Sequence, residues 1–126
     1  LEAFALATDG FMRMVGIGPE YVRAGHSLFT AETHLRHLGE LSRGDALAVT
    51  TRVLSAGARK VHLWHEMRRG EEPVATAEHA LIHVSLASRA AVPFLPGVAE
   101  RVARVAAAHA ALPAPEGAGR RVGEGR

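Results

Sequence analysis

The chain has 126 residues, with 15 Lys or Arg against 13 Asp or Glu, a net charge of +2, eight histidines and no cysteine. A single domain of this length buries roughly two-thirds of its unfolded surface and needs no covalent staple, and the lack of thiols excludes disulfides, thiolate metal sites and cysteine nucleophiles. The near-balanced charge gives no basic footprint for nucleic acid, and no run of more than eleven residues lacks a charge, whereas a membrane helix needs about twenty.

Residues 1–15 predict a helix, apolar almost all round, which belongs inside a domain. Asp9 and Arg13 stand one turn apart and can pair, and Gly10 points to a close backbone approach. No charged segment leading into an apolar run and a cleavage site opens the chain, and the helix pattern is already under way at Leu1, so further residues are expected upstream. A Gly- and Pro-rich loop is expected from Ile17 to Gly25.

Four strands follow. Ser27–Leu38 alternates, with Phe29, Ala31, Thr33 and Leu35 on one face and Thr30, Glu32, His34 and Arg36 on the other. An Arg-Gly-Asp turn at 43–45 leads into Ala46–Ser55, and a short connection centred on Gly57 joins it to Val61–Arg68. In that strand Val61, Leu63, His65 and Met67 oppose His62, Trp64 and Glu66. The last strand is Val74–Leu86. Strands separated by such short turns predict an antiparallel meander. Pro96 then opens a helix over Gly97–Ala111, with Val98, Val102, Val105 and Ala106 as its stripe. Residues 112–126 hold two Pro and four Gly and predict a disordered tail. The fold class is therefore α+β, a sheet with one face against an apolar helix plus a C-terminal helix.

Four segments carry a family resemblance: E-x-H-L-R-x-L at Glu32–Leu38, the Arg-Gly-Asp turn at 43–45, K-V-H-L-W-H-E at Lys60–Glu66, and R-A-A-x-P-F-x-P-x-V-A at Arg89–Ala99. In this order and spacing the chain resembles the hotdog-fold acyl-CoA thioesterases of the 4-hydroxybenzoyl-CoA thioesterase-like group. Within that group it is most similar to the branch tied to carnitine and betaine breakdown. The resemblance implies one hotdog domain over residues 1–111, a sheet wrapped around a central helix, and a cytoplasmic homodimer or homotetramer. It also implies acyl-CoA sites at the subunit interface, no cofactor, and no nucleic-acid or membrane partner. A first strand and an Asp- or Asn-bearing loop precede the helix in this family, and the main catalytic group is expected there, upstream of Leu1.

Thioester hydrolysis needs an activated water or a carboxylate, with donors for the developing oxyanion. Among the residues at hand, Asp9, Glu32 and His34 are the catalytic candidates. A carboxylate in so apolar a helix would be desolvated and suited to act as a base. Glu32 and His34 share a strand face and could orient water, or that face could be the polar outer side of the sheet. Thr8 could touch the acyl group or bond back along its helix. Glu32 and Trp64 would suit a quaternary ammonium acyl head through charge and cation–π attraction. Arg59 and Lys60, in a turn, could hold CoA phosphates, or that turn could simply be solvated. Histidines three apart on a strand point to opposite faces, so no metal site is expected and most of the rings should be neutral hydrogen-bonding groups. Two other functions stay open at this point: a non-catalytic acyl-CoA-binding or dimerisation module, including one attached to a dehydrogenase domain, and a dehydratase of the same fold.

Overall fold

The structure, a computed structural model, describes residues 2–115. In chain order its elements are α1 (Glu2–Met14), α2 (Pro19–Arg23), β1 (His26–His37), β2 (Leu47–Ala56), β3 (Lys60–Arg69), β4 (Glu72–Ser85) and α3 (Pro96–Ala110). Boundaries match expectation to within two residues. The exception is α2, expected as loop, where Pro19 presets the first turn of a five-residue helix too short to show a period. Most of the expected tail, from residue 116 on, lies outside the described residues.

All strand pairs are antiparallel, but the order is β1-β4-β3-β2 and not the expected meander. Only β2, β3 and β4 follow one another as hairpins, while β1 pairs with β4 across the full chain separation. Short turns are legible in sequence; the long pairing is not. Each ladder also carries one bulge, with Ala31, Leu54 and Val74 the extra residues. Bulges sharpen the right-handed twist and let a four-stranded sheet curl around a helix.

The concave face holds α1 and α3. Phe11 of α1 and Val15 just after it join Val53, Leu63 and Leu81 of the sheet and Val98 and Val102 of α3 in one apolar cluster. Phe4 forms a second cluster with Met67, Val74, Ala75 and Ala77. Because α1 lies across β2 and β3, it is not enclosed as expected: Leu6 and Met14 are 62% and 58% exposed. A single curved sheet covers one stripe of a helix, so the apolar residues on its far side remain outside. No ion pair joins Asp9 to Arg13 among the described residues. Nor does Gly10 meet a close neighbour: a Cβ there would find only the Arg13 guanidinium, at 4.0 Å.

The glycine that matters ends the helix. Gly16 has φ +95°, its N–H bonds the Arg13 carbonyl at 3.1 Å, and the Ile17 N–H reaches back to the Met12 carbonyl at 2.7 Å. This pair of bonds is a Schellman cap, in which a left-handed residue satisfies the last helical carbonyls. Below it, α2 is tied to the sheet by Tyr21, whose hydroxyl donates to His83 Nε2 at 2.7 Å. His83 Nδ1 in turn donates to the Val92 carbonyl at 2.8 Å, which fixes its tautomer.

Candidate active site

Directly paired residues share a sheet face, so the register sorts the polar side chains. The row Leu35, Ala77, His65 and Thr51 faces the helices, and so does the pair Thr33–His79. The row His34, Glu78, Trp64 and Arg52 faces outward, with Glu32 and Arg36 on either side. The bulge at Ala31 changes the expected facing of β1. Leu28 and Thr30 point inward before it and Thr33 and Leu35 after it, whereas Phe29 turns outward and is 52% exposed.

Because α1 sits toward β2 and β3, it leaves a cleft of about 470 Å³ over β1 and β4. Its walls are Phe4, Thr8, Asp9 and Met12 of α1, Leu28, Thr30, Thr33 and Leu35 of β1, and Ala77, His79 and Leu81 of β4. The volume is within the range of small-ligand sites.

The polar groups of this wall are held in place. His65 is fully buried among Val61, Leu63 and Met67, and its two ring nitrogens bond Thr8 Oγ1 and Thr51 Oγ1, each at 2.8 Å. Thr8 thus bonds neither along its own helix nor only toward the cleft; it anchors α1 to the sheet. Phe4 stacks on the same imidazole, with ring centroids 5.9 Å apart. Burial, reinforced by His79, holds the His65 pKa down at about 4, so the ring is neutral at pH 7. His79 packs edge-on to it at 5.3 Å and bonds Thr33 Oγ1 through Nδ1 at 2.8 Å. Burial lowers the pKa of His79 as well, and that of His83. The expectation of neutral, hydrogen-bonding histidines is met for these three.

The residues expected at the site are divided. Thr8 and Asp9 line the cleft together, but Asp9 is exposed at its mouth rather than desolvated inside the helix. Glu32, His34 and Trp64 come together on the opposite, outer face of the sheet, where Trp64 is 4% exposed and Glu78 pairs with His62 at 2.7 Å. Arg59 is exposed in the β2–β3 turn and Lys60 is exposed as the first residue of β3. His65, His79, Thr33 and Thr51 were not anticipated. A histidine on an otherwise apolar strand face was the visible signal for His65; the Thr33–His79 contact needs the β1–β4 register.

His62 and His65 do face opposite ways, and among the described residues no cluster of three or more His, Asp or Glu could hold a metal ion. No helix of the described residues is long and apolar enough to cross a membrane.

A helix laid on the concave face of a curled antiparallel sheet, with a cleft along its flank, defines the hotdog fold. The chain belongs to the thioesterase-like superfamily, whose profile matches residues 1–102. It is 46% identical over 119 residues, 94% of its length, to an L-carnitine dehydrogenase/betainyl-CoA thioesterase of Ruegeria pomeroyi. It spans only 24% of that protein, and 26% of similar ones from Rhizobium. Against a betainyl-CoA thioesterase of Pseudomonas aeruginosa it is 39% identical over 126 residues, covering 98% of this chain and 79% of that one. Among solved structures, a Staphylococcus aureus protein in complex with CoA shares the fold with a TM-score of 0.86 at 21% identity, covering 95% of this chain and 77% of that one. The DHNA-CoA thioesterase of the same organism does so with a TM-score of 0.76 at 14% identity, covering 84% and 74%.

Proposed function

We propose that the chain hydrolyses an acyl-CoA thioester bearing a small cationic acyl group, of which betainyl is the leading case. The observation that carries this reading is the charge of the cleft. Among the described residues Asp9 is its one carboxylate and no Lys or Arg lines it, and its histidine is neutral at pH 7. A carboxylate at the mouth of an apolar slot attracts a quaternary ammonium, whose methyl groups pack on apolar walls such as Phe4, Met12 and Leu35. Exposure suits Asp9 to this counter-charge role better than to that of a desolvated base. The relatives named for betainyl-CoA support the same substrate class. Glu32 and Trp64, on the far face, are released from the ammonium role, and His34 from the catalytic one. Arg59 and Lys60 remain the phosphate contacts of this proposal.

The test compares betainyl-CoA with its neutral isostere 3,3-dimethylbutyryl-CoA. An exposed ion pair contributes roughly 1 kcal/mol, so Asp9→Asn should raise KM for betainyl-CoA about fivefold more than for the isostere. Equal effects on both substrates would refute the counter-charge. Acyl-CoA binding without CoA release from either would favour the non-catalytic module.

The proposal includes a cytoplasmic homodimer. The outer edge of β1 pairs with no described strand, and Phe29 and Leu35 lie exposed along it. A second copy pairing there would cover those side chains and wall the open side of the cleft.

A further inference from the structure

The cleft holds a second ionisable group besides Asp9. Asp9 comes from α1 at its mouth, whereas His79 comes from β4 in its wall. His79 is flanked by His65 from β3, edge-on at 5.3 Å, and by Thr33 from β1, and it shares the cleft wall with Asp9 from α1. Nδ1 is occupied by Thr33 Oγ1, and Nε2 makes no hydrogen bond to any described residue. Resting on the thioesterase reading above, we infer that His79 is the general base of the reaction, with Thr33 and His65 as positioning residues.

With Nδ1–H donated to Thr33 Oγ1, the Nε2 lone pair is directed away from β1 and accepts a proton from water as the water oxygen bonds the thioester carbonyl carbon. The tetrahedral adduct collapses by breaking the C–S bond, and the electron pair leaves with sulfur. The proton held on Nε2 passes to the thiolate, giving CoA thiol, and the carboxylic acid product ionises in solvent. The ring ends as it began, and no co-reactant beyond water is consumed. His65, bonded on both sides by Thr8 and Thr51, cannot rotate, so its edge-to-face packing keeps the His79 ring plane fixed. Burial keeps His79 in the neutral form that accepts a proton at neutral pH.

Two substitutions in the full chain separate base from scaffold. His79→Gln places an amide near Nε2 that can hydrogen-bond but cannot take a proton, and His79→Asn keeps a partner for Thr33 at the Nδ1 position. CoA release from betainyl-CoA, followed with a thiol reagent, should show kcat lowered about 100-fold or more in both, with KM within about threefold and the melting midpoint retained. A folded variant of either kind with kcat within about threefold of wild type overturns the assignment. If neither folds, Thr33→Val decides: it leaves the ring and removes its Nδ1 partner, so a tenfold fall in kcat supports the role and an unchanged kcat overturns it. A wild-type chain that releases CoA from no acyl-CoA removes the thioesterase reading itself. An active wild type with active variants removes only His79.

Discussion

The buried His65 makes stability depend on pH in a calculable way. In the fold its imidazole gains a proton only near pH 4, against an ordinary value of 6.5 in the unfolded chain. Between those values the unfolded state binds the proton and the folded state does not, so acid pulls the equilibrium toward unfolding. The contribution of His65 is fully present above pH 6.5, is lost as pH falls, and levels off below pH 4. At about 1.4 kcal/mol per pH unit, the loss is about 2 kcal/mol at pH 5 and about 3 kcal/mol at pH 4. His79 and His83, with pKa values lowered by the same burial, add in the same direction. Carboxylates titrate in this range too, so the measurement is a difference: urea unfolding of wild type and His65→Gln at pH 7.5, 6 and 5. The amide can still bond Thr8 or Thr51 but has no proton to gain. The stability gap between the two proteins should narrow by about 2 kcal/mol from pH 7.5 to pH 5. A gap constant to within about 0.5 kcal/mol would refute the claim that this ring is buried neutral.

Gly16→Ala forces a Cβ onto a residue with φ +95° and sets it 2.6 Å from the Arg101 guanidinium. A loss of about 1–2 kcal/mol is expected by chemical denaturation, and an unchanged midpoint would mean that the cap relaxes elsewhere. Light scattering should return at least a dimer mass, and Phe29→Lys should shift it toward monomer by placing like charges along the β1 edge; a wild-type monomer at micromolar concentration would remove that edge as an interface.

Local periodicity made most of the elements legible. The stripe Val98, Val102, Val105 and Ala106 is the face by which α3 meets the core, and Val61, Leu63, His65 and Met67 do face the helices together. What alternation could not supply was the phase break at Ala31. The face counted by twos from Phe29 is right at Thr33 and Leu35 but wrong at Phe29, where Leu28 and Thr30 point inward instead. Only the pairing of Thr30 with Leu81 and Glu32 with Ala80 reveals the extra residue. The site was half legible for a related reason. Asp9 and Thr8 share a helix with the cleft, so a local argument finds them. His79 meets Thr33 across 46 residues of chain, and that contact exists only because β1 inserts beside β4. Glu32, His34 and Trp64 were correctly grouped with one another, since they share a face; which face it was depended on where α1 lay.

The three bulges also bear on how such a chain tolerates changes in length. Inside a regular strand, gaining or losing one residue inverts every side chain beyond it. Ala31 stands between two halves of β1 already in phase with β4, so its deletion would straighten the strand yet leave Thr30, Thr33 and Leu35 on the cleft side. Leu54 and Val74 hold the same position in their own ladders. At these three points a single-codon gain or loss can pass through a lineage without exchanging the inner and outer surfaces of the sheet. Elsewhere in the strands the same event would turn the pocket inside out.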